Sequence, residues 1–585
     1  MRGECPTSVR GTPARSTGAG TPRRVRTDAI ASDQGAAGMW PLRWLEGDRA
    51  GRWLAPARRP WRSAMVPLFM FGLASSDPAR ALGQDTWSHL AGDPLRSAIC
   101  GPVSLGPTPL WVCSTDLQGR TIDFAGRSSP VVSQNCVYAL GSVRVGDQRL
   151  YSIYAIDRWT GGVVWSSPTP APYFESRSTP AIDARNRAVV VVVGSFVMAF
   201  DLITGQSRWI TPLPRPVVNA SPVVTDDLPF RNRIFLTDYD GFGVEGRLYC
   251  INADPRMGAW NPFDPGEVVW SETLGTTSGN TPAFADGRVF VTSAGDFGFE
   301  PGAVACFDAR SLNAIGPLWR TENVMPEGFF GGLTASGGSV YTASYAFFGG
   351  TWSSNLLKLD AASGGVVWST PCNRSASIPV AVPGRSPLEP TRVVVSGGLN
   401  GFGTRPTVQV FDDLGSSASV VWQSPTGLWW DLNGDGVMDA SENLSVGGWS
   451  TQPLVSREGV AGEGRRVVLV GTMASTPGGE SPDVALTAID LDSLGLGPPK
   501  IIGRYAGAGS SPGVAGGCVY TIGAGGLVAL GPAPMAYDVN LDEVIDLEDV
   551  YAWEQGRGRR DVDRDGVITA ADRKALIRRV RRDER

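Results

Sequence analysis

AIDRWTGGVVW, Ala155–Trp165, is the stretch from which the architecture of this chain is read. It returns as AFDLITGQSRW, Ala199–Trp209, and as KLDAASGGVVW, Lys358–Trp368. Looser copies end at Trp270, Trp319 and Trp422, and a degenerate copy surrounds Ala488-Ile489-Asp490. The aspartate and the following Thr-Gly or Ser-Gly form a tight turn, because an Asx-type bond closes it and glycine accepts positive φ. The tryptophan then falls on the next strand, where it can stack on the neighbouring unit. Around this element apolar and polar residues alternate, the period of half-buried strands.

Each copy is preceded by an S-x-P-V opening. The opening prolines are Pro130, Pro180, Pro222, Pro282, Pro379, Pro453 and Pro512, and a further opening near Thr334 lacks one. One unit therefore predicts four strands, a propeller blade. The openings predict an all-β, eight-bladed β-propeller over residues 84–533, with seven blades as the alternative. The last unit, Ser510–Leu530, holds only three strands. Its missing outer strand is available in Pro107–Cys113, which makes Trp111 the tryptophan of the last blade and leaves no free sheet edge.

With these motifs the chain resembles the quinoprotein-like (PQQ-repeat) β-propeller family, and Trp87–Asp93 resembles that family's opening segment. The resemblance implies fold more than chemistry. Some members bind pyrroloquinoline quinone and oxidise alcohols or sugars; others bind no quinone and serve in binding or assembly. The enzymes carry an adjacent Cys-Cys pair over the quinone, and this chain has none, so PQQ is not expected here.

Composition narrows the chemistry further. The net charge of −5 gives no basic excess for nucleic acid. His89 is the single histidine, so a His-rich metal site or an HExxH protease lacks its residues. The eight cysteines include no CxxC. Cys136, Cys518, Cys250 and Cys306 sit in matching apolar strands and read as small buried hydrophobes. Cys100 and Cys113 are either a disulfide of an exported protein or free thiols.

Residues 1–57 read as a disordered extension. Residues 58–81 join Arg58, Arg59 and Arg62 to the short apolar run Ala64–Ala74 and an Ala79-Arg80-Ala81 cleavage pattern, the layout of a secretory signal. The expected location is secreted, extracellular or periplasmic, with no membrane span.

Three loops have calcium-ligand spacing, since hard cations take six to eight oxygens from positions 1, 3, 5, 7, 9 and 12. Within 431–442 these are Asp431, Asn433, Asp435, the Val437 carbonyl, Asp439 and Glu442, with Gly436 at the sharp turn. Residues 534–585 hold two more. The first offers Asp538, Asn540, Asp542, the Val544 carbonyl, Asp546 and Asp549. The second offers Asp561, Asp563, Asp565, the Val567 carbonyl, Thr569 and Asp572. Each is followed by a helical stretch. Loop plus exiting helix, twice, resembles a dockerin, a small all-α domain; that resemblance implies calcium in these two loops and a cohesin-like partner, and with the loop at 431–442 the whole chain is expected to hold up to three calcium ions. Glu543 stands where the first loop would have glycine, which weakens that site.

The long loops between second and third strands carry Phe242, Phe297, Phe299, Phe348 and Phe402. Up-and-down topology puts them on one face with the blade-to-blade connections, including Trp429 and Trp430 beside the calcium loop. Such a rim suits a protein or a carbohydrate. The expected function is a secreted binding or scaffold protein tethered by its C-terminal domain, within a polysaccharide-degrading system. The alternative is a propeller enzyme: a glycoside hydrolase, or with less support a PQQ-dependent dehydrogenase.

Overall fold

The computed structural model describes residues 86–583 except 104, 107, 125–127, 175, 177, 229, 242, 296–299, 347–352, 399–403, 432–434, 439–441, 445, 459–463, 473–483, 532–536, 541–544, 559, 561 and 563–567. The N-terminal extension and signal-like segment lie outside these residues. No described helix is long and apolar enough to cross a membrane.

Eight antiparallel sheets follow one another in chain order as the blades of a propeller. Blades 1 to 7 span 131–168, 181–212, 223–275, 283–322, 333–371, 380–423 and 454–506. Blade 8 contributes Gly513–Ala515, Cys518–Gly523 and Gly526–Leu530 and takes its outer strand from the other end of the chain. That strand is Trp111–Cys113, paired antiparallel to Gly526–Leu530 with Trp111 opposite Ala529. The eight-blade reading and the closure both hold.

The repeat motif works as its chemistry demands. Asp157 Oδ1 accepts from the Trp159 N–H at 3.0 Å, the Thr160 N–H at 2.8 Å and the Thr160 hydroxyl at 2.9 Å. Asp201 and Asp360 close their turns in the same way. Trp165, Trp270, Trp319 and Trp368 then reach into the next blade, whereas Trp422 donates to the Thr426 carbonyl four residues on. The indole N–H of Trp165 donates to the Leu202 carbonyl at 3.2 Å, and that of Trp319 to the Ala361 carbonyl at 3.2 Å. Two residues further on, a hydroxyl completes the clamp. Ser167 donates to the Gly205 carbonyl at 2.5 Å, Thr211 to Gly266 at 2.6 Å and Thr321 to Gly364 at 2.7 Å.

The simple alternation holds only at the periphery. Outer strand Val163–Pro168 alternates between exposed and less exposed positions, whereas Ala188–Val193 in blade 2 is buried throughout. A middle strand is covered on both faces by the adjacent blades, so its sequence becomes a continuous apolar run.

Cys100 and Cys113 are free, buried thiols, so the disulfide alternative falls. The physical reason is placement. Cys100 lies on Ile99–Cys100, which pairs with Leu454–Ser456 at the inner edge of blade 7, while Cys113 is on the outer strand of blade 8. Burial pushes the Cys113 thiol up to about 11 and the Cys100 thiol well above its usual range.

Residues 87–100 form an internal collar that the repeat pattern does not announce. Trp87 exchanges two backbone bonds with Val132 of blade 1, both 2.8 Å. The Ser88 carbonyl accepts from Ile182 in blade 2, Pro94 from Phe284 in blade 4, Leu95 from Ala335 in blade 5, and Ala98 from Val455 in blade 7. His89 Nε2 accepts from the Val224 N–H of blade 3 at 3.0 Å. Since a backbone N–H only donates, His89 is the neutral tautomer with its proton on Nδ1, 2.7 Å from Ser88 Oγ. The buried Arg96 guanidinium donates to the carbonyls of Pro282, Leu90, Ser221 and Pro222. The segment thus runs around the inside of the channel and satisfies innermost-strand groups that would otherwise face it.

At the C-terminus, Leu547–Glu554 and Ala570–Asp583 are helical. Val539, Trp553, Val562, Leu576 and Val580 form a small apolar cluster of their own.

Candidate functional site

The blade-to-blade connections enclose a funnel of about 180 Å³ at the centre of one face. Its wall is built from successive connections: Val218 and Asn219, then Thr276 to Gly279, Phe330 and Gly332, Ala376 to Ile378, and Trp449 to Gln452. Tyr239, just beyond the second strand of blade 3, and Tyr345, the last residue of the second strand of blade 5, complete it, and Leu90 of the collar lines it from within the channel. No described lining residue carries a charged side chain.

Aromatic rings gather on two sides. Tyr345 stacks on Phe330 with centroids 4.8 Å apart and meets Trp449 edge-on at 6.1 Å, while the Arg374 guanidinium lies 5.0 Å from the Tyr345 ring centroid. On the other side Tyr239 packs 6.2 Å from Tyr173 and 6.1 Å from Phe174, both in the connection from blade 1 to blade 2. Phe174 is 65% exposed. Burial raises the Tyr345 and Tyr239 hydroxyls above their usual range, which holds both neutral at physiological pH.

Carboxylates near the funnel are committed elsewhere. Asp238, fully buried, accepts from the Arg247 N–H at 2.7 Å and the Tyr249 hydroxyl at 3.0 Å, with Arg215 3.6 Å away. Burial raises its pKa, against the pull of those hydrogen bonds. Asp240 accepts backbone N–H groups from Glu245 and Gly246, both at 3.1 Å. Neither lines the funnel.

Of the aromatics expected on this face, Phe242, Phe297, Phe299, Phe348 and Phe402 lie outside the described residues. Trp430 packs against the main core and Trp429 is half-buried, bridged to Asn443; neither lines the funnel. Trp449, Tyr239, Tyr345 and Tyr173-Phe174 escaped the sequence reading because they belong to no repeat position. The available signal was their place just before an opening segment, or at or just beyond the end of a second strand.

The loop at 431–442 lies between Ala418–Gln423 of blade 6 and Leu454–Ser456 of blade 7. Gly436 has φ of +73°, Asp431 Oδ2 accepts from its N–H at 2.8 Å, and Asp435 Oδ1 accepts from the Val437 N–H at 2.7 Å. Glu442 is buried. The curl has the sharp glycine turn that a calcium loop needs, while no group of three or more ligating side chains gathers among the described residues. Asn433 and Asp439 fall outside the described residues.

The C-terminal loops repeat one geometry. Asp549 accepts from the Val539 and Asp546 N–H groups, and Asp572 from those of Val562 and Thr569 at 2.7 and 2.8 Å. Both last-position carboxylates are thus buried and gather the second and ninth N–H of their own loops. Asp538 is buried and Asn540 is half-buried. Asp542, Val544, Asp561, Asp563, Asp565 and Val567 lie outside the described residues.

A PQQ-repeat family model (PQQ_2), described as outer membrane protein assembly factor BamB, matches residues 112–261. No curated protein sequence matches the chain. Among solved structures, the quinohemoprotein alcohol dehydrogenase of Comamonas testosteroni is similar at 12% identity and a TM-score of 0.49, over 77% of this chain and 78% of that one. A europium-containing methanol dehydrogenase is similar at 11% identity and 0.49, over 75% and 89%. Sqt1 from Chaetomium thermophilum is similar at 12% and 0.45, over 77% and 100%.

Proposed function

We propose that this PQQ-repeat propeller is a secreted binding or scaffold protein that engages its ligand at the funnel face. On this reading its C-terminal loops bind calcium and dock a cohesin-like partner, within a polysaccharide-degrading system. The observation that carries the binding role is the funnel wall: hydroxyls, amides, aromatic rings and backbone, with no charged side chain among the described lining residues. Such a wall orients a ligand without supplying an acid, a base or a nucleophile. A glycosidase needs two convergent carboxylates, and Asp238, Asp240 and Glu327, each close in sequence to a lining residue, are held by their own hydrogen bonds. PQQ, a tricarboxylate, finds no cation among the described lining residues either, so those residues do not fit that cofactor. The assembly-factor description of the matching family model is in keeping with binding rather than turnover.

The test is a glycan array and a partner pull-down with the full chain, repeated with Ser278→Trp, which fills the funnel. Ligand or partner capture lost on filling supports the reading. Capture that persists unchanged places the interaction elsewhere and overturns it.

A further inference from the structure

The funnel has a closed floor and a one-sided aromatic shelf, and together they specify a ligand class. Leu90 belongs to the collar that runs around the inside of the channel. A ligand therefore enters from one face and cannot thread through. The wall offers neutral hydrogen-bonding groups, among them Asn219, Thr277, Ser278 and Gln452. Arg215, which approaches Asp238 beside Tyr239, is paired with Glu245 at 2.7 Å, and Glu175 and Arg177 lie outside the described residues.

The shelf leads outward from the funnel wall through Tyr239 to Tyr173 and Phe174. Phe174 adopts a left-handed φ of +52°, a conformation unfavourable for an aromatic residue, and its side chain is 65% exposed. The ring rests on Tyr173 at 4.4 Å and Tyr239 at 6.1 Å, and a left-handed backbone that holds an exposed ring beside a funnel points to use of that ring by the site. The shelf rings stand at 47–87° to one another and offer separate faces beside fixed amides and hydroxyls, and such faces match sugar rings, which have an apolar face and a polar rim.

We propose that the funnel takes the terminal sugar of an uncharged glycan chain, and that Tyr239, Tyr173 and Phe174 support the sugars that follow. This rests on the reading that the funnel face is the ligand face, and it names the ligand. The blind floor dictates recognition of chain ends; the shelf dictates that affinity grows with length until the rings are covered.

The experiment is calorimetric titration of the full chain with neutral gluco-, xylo- and manno-oligosaccharide ladders, with uronic-acid oligomers as the anionic comparison. The expected result is binding of a neutral series, strengthening over the first few sugars and then levelling. Phe174→Gly and Tyr239→Ala should each weaken it by about tenfold, the effect of removing one well-stacked ring. Phe174→Gly also separates function from structure: glycine relieves the left-handed strain, so thermal stability should hold or rise while binding falls. Equal or tighter binding of the anionic series, insensitivity to both variants, or no glycan binding overturns the proposal. If no glycan binds but a protein partner is lost on Ser278→Trp, the funnel-face reading stands and the glycan assignment alone fails.

Discussion

The indole of Trp111 approaches the Cα of Gly161 so closely that a Cβ at 161 would lie 2.7 Å from its ring. This contact joins the last blade to the first. The same contact recurs as Trp165 on Gly205 and Trp319 on Gly364, where the Cβ would fall 2.6 and 2.4 Å from the ring. The glycine of the repeat therefore answers two demands at once, positive φ in the turn and room for the preceding blade's tryptophan.

Gly161→Ala should destabilise the propeller by about 2–4 kcal/mol, the sum of left-handed strain and overpacking. Trp111→Ala removes the other half of the contact and should cost about 3–5 kcal/mol. Urea unfolding at constant slope is the measurement. Deleting residues 104–116 should lower stability throughout the ring in one cooperative transition, since it bares the sheet edges of blade 8. A deletion that unfolds like the parent would refute the closure.

Acid should loosen the collar through His89. Burial, and then the neighbouring Arg96 charge, hold its pKa well below 6.5. The unfolded chain therefore binds this proton more readily than the folded one below about pH 6.5, so stability falls as pH drops past that point and is unaffected above it. Asp183 and Asp238, whose carboxyls burial pushes up, tilt the curve the opposite way at lower pH. Comparing the chain with His89→Gln, which keeps an acceptor, isolates the effect. The variant should lose the decline between about pH 6.5 and 5.5 in thermal unfolding.

Asp413 fastens blade 5 to blade 6. Its carboxylate accepts from Lys358 at 2.7 Å, the Tyr341 hydroxyl at 2.8 Å and the Trp368 indole at 3.0 Å. Burial alone would raise its pKa, and these donors outweigh it and hold it below the usual range. Asp413→Ala should cost about 3–5 kcal/mol, because it leaves the Lys358 charge buried without its partner. Lys358→Met with Asp413→Leu should recover most of that loss in a double-mutant cycle.

Calcium should drive the folding of the isolated segment 534–585, whose five-residue apolar cluster is small for unaided stability. The second loop keeps Gly566 where the first has Glu543. Asp561→Ala should abolish most calcium-induced helicity, and Asp538→Ala should leave a partly folded second half. Circular dichroism from EGTA into calcium decides it; full helicity in EGTA would contradict the expectation.

Reconstitution with PQQ and calcium should leave no bound quinone in the absorption spectrum and no dye-linked alcohol or sugar oxidation. Stoichiometric PQQ binding would overturn the reading of the funnel.

By itself the sequence determined the propeller, favoured eight blades over seven and named the strand that closes the ring. Those features rest on local chemistry repeated many times: Asp157, Asp201 and Asp360 close the same turn, and Trp111, Trp165 and Trp319 meet the same glycine. Only the tertiary structure decided what fills the channel and what lines the funnel. The collar pairs Trp87 with Val132 but Ala98 with Val455, contacts dozens to hundreds of residues apart that no local period encodes. Tyr239, Tyr345 and Trp449 line one funnel because loops and a strand end from separate blades converge on one axis, and the repeat motif marks none of the three. Phe174 is visible in the sequence as one more aromatic; its left-handed backbone and its place beside Tyr239 exist only once blades 1 to 3 are side by side.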